Sequence, residues 1–254
     1  VSPRHIVQFS SGIGSWAVAQ LLVEKVGREN MLLLFADTLV EDEDNYRFLR
    51  DAEQQLGVPV VRICEGRTPE QVFEDERFLA NNRVALCSKI LKIGPARDWV
   101  EEYFPDPNSC VLYVGIDSGE PGRIPAIADG WAPYRTEFPL TWPEHRHLRK
   151  DDLLAWCRRE GLEPPRMYGL GFDHANCSGR CVRAGQAHWL HLLEVWPERY
   201  ADAETFEQHM RTKLGKDVAY LRGQHAGQSH PLTLAQLRRR ADIRAAFKTL
   251  TPPR

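Results

Sequence analysis

Two groups of residues have the types and spacing that chemistry needs. The first is the run Ser10-Ser11-Gly12-Ile13-Gly14-Ser15. Glycines let a backbone come close to phosphate oxygens, serine hydroxyls add donors, and a helix that follows adds unpaired N–H groups and a positive dipole end. No Gly-Lys-Ser/Thr follows, so this is not a Walker loop, and the spacing is not that of a dinucleotide fingerprint. An ordinary tight connection would use the same residues. The second group is Cys177 and Cys181 with Cys87. Residues four apart share one face of a helix, so two thiols from one segment and a third from another could form a three-cysteine site. Zinc completed by His174 or His188 is one occupant of such a site; two plain buried cysteines beside Gly179 is the alternative. Cys64, Cys110 and Cys157 are expected as small core hydrophobes. A chain of 254 residues does not need disulfide staples. His5, His145, His147, His191, His209, His225 and His230 show no ligand spacing and are expected at the surface or as caps.

The elements that must position these residues follow from apolar periodicity and breakers. Residues 5–9 read as a short buried strand leading into the serine loop. Residues 15–26 carry Trp16, Ala19, Leu22, Val23 and Val26 at helical spacing, closed by Gly27. Residues 31–36 form a second strand ending at Asp37-Thr38, 42–56 a helix stopped by Gly57, and 58–63 a third strand. The segment 68–103 reads as two helical pieces with Cys87 between them. Residues 110–116 form a fourth strand running into Gly115-Ile116-Asp117-Ser118-Gly119-Glu120. Residues 121–147, rich in Pro, Gly and aromatics, read as irregular. A helix over 150–161 follows, then Pro164-Pro165, and Thr233 with Gln236 forms a capping box for a last helix over 234–250. Alternating buried strands and helices predict an α/β fold, with a parallel Rossmann-like sheet flanked by helices and a mainly helical, cysteine-containing C-terminal part. Domains are expected over 1–147 and 148–254. Ser10 to Ser15 and Asp37-Thr38 both fall at strand carboxyl ends, where such sheets bind ligands.

The loop resembles the pyrophosphate loop of the adenine nucleotide α-hydrolase (PP-loop ATP pyrophosphatase) superfamily, whose pattern is S-G-G-x-D-S. Ser10, Gly12 and Ser15 match, Ser11 replaces a glycine, and Gly14 replaces the aspartate. Phe35-Ala36-Asp37-Thr38, followed by Glu41 and Tyr46, resembles the second-strand signature of the phosphoadenosine phosphosulfate (PAPS) reductase-like branch. Cys87-Ser-Lys-Ile-Leu-Lys92-Ile-Gly-Pro95 resembles its cysteine–lysine–proline segment, and Gly115-Ile116 with Glu120 and Arg123 its Gly-Ile…Glu…Arg stretch. Tyr168-Gly-Leu-Gly171-Phe172 and Asn176-Cys177-Ser-Gly179-Arg-Cys181-Val182 resemble the cysteine segment of further relatives. The pieces occur in the right order across residues 5–190.

The resemblance implies a HUP-type sheet that binds ATP, with phosphates on Ser10, Ser11, Gly12, Gly14 and Ser15, and Asp37, Thr38 and Gly115 lining the nucleotide site. It implies Mg²⁺ on the phosphates, and cleavage between the α- and β-phosphates to AMP and pyrophosphate. Lys92 and Arg123 are the expected catalytic cations, with Lys89 a further candidate, and Cys177 the sulfur-handling residue. Relatives that thiolate nucleic acid or reduce sulfonucleotides hold a [4Fe–4S] cluster, for which Cys87, Cys177 and Cys181 are the candidate ligands here, with zinc the alternative. The expected activity is that of an adenylating ATP pyrophosphatase in DNA phosphorothioation or tRNA thiolation. Its partners would be nucleic acid and a cysteine desulfurase. A sulfonucleotide reductase ranks second, because no cysteine follows Cys181 to match the C-terminal Glu-Cys-Gly-Leu-His motif. A nucleotide-binding subunit that has lost catalysis, suggested by Gly14, is a third reading, and a ligase of the same superfamily a fourth.

Bulk composition bounds these readings. With 43% hydrophobic and 27% charged residues the chain has the balance of a globular protein and not of a disordered one. The apolar run 31–36 is far too short to span a bilayer, and the first residues read directly as strand, which points to a cytoplasmic protein, expected as a homo-oligomer. Residues 205–254 carry ten Lys/Arg against three Asp/Glu, so the remainder is acidic. That asymmetry fits either a nucleic-acid footprint or the basic outer face of helices.

Overall fold

The computed structural model describes residues 3–225 and 227–250. Of the basic residues in the C-terminal segment, Arg254 and the side chains of Arg244 and Lys248 lie outside that description, as does the His225 side chain. The central sheet is built from β1 (Arg4–Gln8), β2 (Met31–Asp37), β3 (Val60–Cys64), β4 (Cys110–Val114) and β5 (Arg135–Glu137). All neighbours are parallel, in the order β3-β2-β1-β4-β5. The chain first steps outward from β1 through β2 to β3, then returns to the other side of β1 for β4 and β5. The switch in direction therefore lies between β1 and β4, where an open α/β sheet forms its crevice.

The helices of the first half are α1 (Ile13–Val26), α2 (Glu43–Leu56), α3 (Pro69–Asp75), the single turn α4 (Leu86–Ser88), α5 (Gly94–Tyr103) and α6 (Ile124–Trp131). A wide π-type turn over Lys89–Ile93 joins α4 to α5. Those of the second half are α7 (Lys150–Arg159), α8 (Arg166–Gly169), α9 (Gln186–Val195), α10 (Pro197–Leu214) and α11 (Leu234–Leu250), with an antiparallel pair β6 (Leu221–His225) and β7 (Gln228–Leu232) before α11. No helix among the described residues is long and apolar enough to cross a membrane.

The middle strands are apolar on both faces because both faces are covered. Val7, Leu33, Phe35, Val111 and Tyr113 pack with Trp16, Phe48, Ala52, Leu153 and Cys157 from α1, α2 and α7. Ile6, Leu34 and Leu112 turn to the opposite face and meet Ala96, Val100 and Trp131 from α5 and α6. Each fully buried Val, Leu, Ile or Phe among them contributes about 1.5–3 kcal/mol relative to exposure. Helix α2 begins where Asp42 accepts a hydrogen bond from Asp44 N at 3.1 Å and ends at Gly57, whose φ of 62° is the left-handed cap that favours glycine.

The structure departs from the sequence reading in several places. Helix α1 starts at Ile13, so the loop proper is only Ser10 to Gly12. Residues 121–147 are not irregular: they hold α6 and the fifth strand. The polar sequence of β5, Arg-Thr-Glu, is that of an edge strand with one neighbour, so it shows no apolar signal. The β6–β7 pair also lies in a stretch where no strand is expected. Cys177 and Cys181 do not share a helix face. Cys177 and Ser178 have φ values of 53° and 50°, Gly179 has 84°, and these three left-handed residues break any helix before Cys181. The chain forms two compact units, residues 1–66 with 91–176, and residues 67–90 with 177–254. This differs from one cut after residue 147: α7 belongs to the first unit because Leu153 and Cys157 complete its core.

The second unit has its own core. Trp189 stacks on Tyr220 with ring centroids 5.5 Å apart and meets Tyr200 edge-on at 6.1 Å. The buried Glu207 accepts hydrogen bonds from Tyr220 N at 2.9 Å and Leu234 N at 2.7 Å, tying α10 to the start of β6 and of α11. Thr233 and Gln236 form the expected capping box of α11.

Candidate functional site

The serine loop leaves the carboxyl end of β1, beside the switch in strand order. Ser11 takes the left-handed conformation at φ 53°, a conformation that glycine reaches at less cost. It does so fully buried, and its hydroxyl has no hydrogen-bond partner among the described residues. A buried hydroxyl without a partner costs about 1–3 kcal/mol. Ser15 Oγ draws the loop closed: it donates to Gly12 O at 2.9 Å and accepts from Ser10 N at 3.2 Å, and Ser10 Oγ donates to it at 3.3 Å. On the far side of β1, the end of β4 reaches the same helix start. A Cβ on Gly115 would fall 2.8 Å from Gly14 C and from Ser15 N, so the two backbones are in contact only because Gly115 has no side chain. Gly14, which the sequence comparison marks as a departure, faces Gly115 O with its own missing Cβ at 3.3 Å. Gly12, Gly14, Ser15 and Gly115 are thus one packed unit around the loop.

Tyr168, from α8, completes this group. Its hydroxyl accepts a hydrogen bond from Ile13 N, the first residue of α1, at 3.1 Å. Burial pushes its phenol up to about 12, against the opposing effect of that hydrogen bond, so the group stays protonated at neutral pH.

At the end of β2, the Asp37 carboxylate is buried and already engaged. It accepts from Leu39 N at 2.8 Å, Tyr46 OH at 2.8 Å and Arg62 Nε at 2.8 Å. Burial and the Asp37 carboxylate together hold the Tyr46 phenol far above its ordinary range. Next to it, Thr38 Oγ1 and Lys92 Nζ both donate to the buried Glu41 at 3.2 Å. Lys92 therefore stands at the carboxyl end of β2, and Glu41 is what brings it there. Arg123 sits on an exposed turn and pairs with Glu120 at 2.9 Å. Lys89 belongs to the second unit.

Of the cysteines, Cys110 and Cys157 are buried thiols, pushed by burial up to about 11 and about 12. Cys64, expected in the core, is exposed at the end of the edge strand β3. Cys87, Cys177 and Cys181 all fall in the second unit and are half-buried. Among the described residues no three His, Cys, Asp or Glu side chains gather into a metal-holding group, these three cysteines included. His188 Nε2 lies 2.8 Å from Gly179 O, which can only accept, so the ring carries its proton there.

Two contacts of this arrangement lacked a sequence signal, although Tyr168 and Glu41 both stand in segments that the resemblance singles out. Tyr168 meets the loop across 155 positions of chain, a contact that no local pattern encodes. Glu41 follows the second-strand signature in the sequence, but its pairing with Lys92, 51 positions away, is not encoded locally.

No family model matches the chain. Over 111 residues, 44% of the chain, it is 27% identical to an uncharacterised protein of Methanocaldococcus jannaschii, and the match spans 22% of that relative's length. Among solved structures it is similar to a phosphoadenylyl-sulfate (PAPS) reductase from Candida auris, crystallised as a phosphate complex. The identity is 13% and the TM-score 0.43, over 68% of this chain and 79% of the other.

Proposed function

We propose that the chain binds an adenine nucleotide with its phosphates on Ser10 to Ser15, and that it cleaves ATP between the α- and β-phosphates. The observation that carries this reading is Ser11: a wholly buried serine in a left-handed conformation, with an unpartnered hydroxyl, in the loop at the sheet's switch point. Strain and an unmet hydrogen bond at one residue are what a site keeps for a ligand that meets them. Anionic oxygens suit the start of α1, where backbone N–H groups and the helix dipole both favour negative charge. The match of the loop to S-G-G-x-D-S narrows the anion to a nucleotide pyrophosphate.

On this reading, an acceptor oxygen attacks the α-phosphorus and the bond to the bridging oxygen breaks, leaving pyrophosphate. The charge that develops on the leaving group falls on the loop donors and on the nearby cations. Lys92, held at the end of β2 by Glu41, would supply that positive charge, and Arg123 would add to it only on leaving its exposed pair with Glu120. Mg²⁺ would arrive on the triphosphate and add charge neutralisation, since no loop residue is a carboxylate. The product is an adenylated acceptor; the outer sulfur of a protein persulfide would then displace AMP, and a second thiol would attack the inner sulfur of the resulting S–S bond, releasing the thiolated acceptor and leaving a disulfide. The sulfur-transfer step onto nucleic acid is supported by Cys177, Cys181 and the basic C-terminal segment, and a desulfurase-type partner would provide the persulfide.

The test is incubation of the purified protein with ATP and Mg²⁺, with all nucleotide and phosphate products resolved. AMP plus pyrophosphate, in the presence of a thiolatable nucleic acid, is the expected result. ADP plus phosphate would overturn the assignment of the cleaved bond.

A further inference from the structure

We infer that Tyr168 is a phosphate-positioning residue, a hydroxyl supplied by α8 that passes the first N–H of α1 on to a phosphate oxygen. The inference rests on the nucleotide-binding reading of the loop and adds to it a residue from outside the loop.

The geometry has three parts. First, the Tyr168 hydroxyl accepts from Ile13 N at 3.1 Å, so the opening N–H of α1 already has a partner before any ligand arrives. Second, the Tyr168 proton has no acceptor among the described residues, and the phenol is not ionised near neutral pH because burial lifts it to about 12. A hydroxyl that accepts on one side polarises its own O–H as a donor on the other, so the pair acts as a short relay. Third, Tyr168 and Ser10 hydroxyls converge on one spot. A Cβ on Gly12 would meet Tyr168 OH at 3.2 Å and Ser10 Oγ at 3.4 Å. The side of the loop where Gly12 has no side chain is therefore edged by two hydroxyls. The neighbouring Ser11 hydroxyl, buried and without a partner, is the independent sign that this loop waits for a ligand.

Tyr168 is also fixed in place. Arg166 Nε pairs with the buried Asp42 at 2.8 Å, and Arg166 N donates to Asp44 Oδ2 at 2.7 Å. Arg47 donates to Glu163 O at 3.0 Å and Pro164 O at 3.3 Å, and Met167 is fully buried. These contacts pin α8 to the start of α2. The Tyr168 ring itself packs against the core shared by α1, α2 and α7, which keeps its hydroxyl at the loop as a donor.

The test is calorimetric titration of the wild type and Tyr168→Phe with inorganic pyrophosphate, with ATP and with adenosine. The phenylalanine keeps the ring and removes only the hydroxyl. A hydrogen bond to a charged group is worth about 1.5–3 kcal/mol, so Kd for pyrophosphate and ATP should rise about tenfold or more. Adenosine affinity should not change, whereas a general loosening of the fold would weaken all three ligands. Thermal unfolding of the variant gives the parallel check on folding, and Ser10→Ala, which removes the facing hydroxyl, should repeat the phosphate-selective loss. Unchanged or tighter pyrophosphate binding by Tyr168→Phe overturns the inference, tighter binding meaning that the hydroxyl competes with phosphate for Ile13 N. A wild type that binds neither pyrophosphate nor ATP overturns the reading of the loop itself.

Discussion

Gly115→Ala is the substitution whose effect the geometry fixes best. The new methyl carbon would sit 2.8 Å from Gly14 C, 2.8 Å from Ser15 N and 3.0 Å from Gly14 O. Ordinary contact begins at 3.4 Å, so about 0.6 Å has to be absorbed. All three opposing atoms are backbone, and no side chain can rotate away. Forcing one carbon into a packed region costs about 1–3 kcal/mol. For a chain of this size that lowers Tm by roughly 2–12 °C. The displaced atoms are the helix start and the loop that would carry the phosphates, so pyrophosphate affinity should fall together with stability. Two alanines calibrate the result. Gly14→Ala looks across the same contact, but its Cβ is 3.3 Å from one oxygen, so its cost should stay below about 1 kcal/mol. Gly130→Ala in α6 meets nothing within 4 Å and should stabilise by about 0.5–1 kcal/mol through helix propensity. Thermal scans of the three variants, with calorimetric pyrophosphate titrations, give the answer. A Gly115→Ala protein as stable as Gly14→Ala, or destabilised with unaltered pyrophosphate affinity, would refute the reasoning.

Three further outcomes are expected. Ser11→Ala removes a buried hydroxyl with no partner among the described residues, so the ligand-free protein should gain about 1 kcal/mol in equilibrium denaturation while pyrophosphate binds more weakly. Burial lifts the Glu207 carboxyl to about 7, against two backbone hydrogen bonds. The folded state then holds a proton that the unfolded state releases, so this contribution is full below about pH 4.5 and is lost as pH rises to about 7, by on the order of 3 kcal/mol. Denaturation midpoints across that window should show the decline in wild type and a flatter profile in Glu207→Gln. Among the thiols, the exposed Cys64 should react quickly with a disulfide reagent, while the buried Cys110 and Cys157 should react only on unfolding, which a stopped-flow titration of the native and denatured protein separates.

What the sequence discloses here depends on how far apart the cooperating residues lie. Helix α2 is legible because its signals are local: Asp42 caps its own helix and Gly57 ends it. The parallel sheet is legible because strands covered on both faces are apolar throughout, as residues 31–36 are. The strand β5 is hidden for the opposite reason, since an edge strand with a polar sequence carries no such run. The spacing of Cys177 and Cys181 suggests a helix, yet two non-glycine residues in the left-handed conformation stand at its start, a choice no propensity favours.

The candidate site shows the same division more sharply. Ser10 to Ser15 and Asp37-Thr38 do lie at adjacent strand ends, as their place after buried strands predicts. Their availability is a different matter. The Asp37 carboxylate, suited by type and position to a nucleotide, is spent on Tyr46, Arg62 and the backbone of Leu39. Ser11, which looks like an imperfect copy of a glycine, has the one loop hydroxyl that is buried and unspent. Residue type and position along the chain are local properties and can be read from a sequence. Whether a polar group is already satisfied depends on partners such as Arg62, 25 positions away, and Tyr168, 155 positions from Ile13. A ligand acts on that second property. On the proposed reading of this loop, Ser11 and the Tyr168 hydroxyl are therefore better placed to meet a ligand than the Asp37 carboxylate, although Asp37 has the clearer motif.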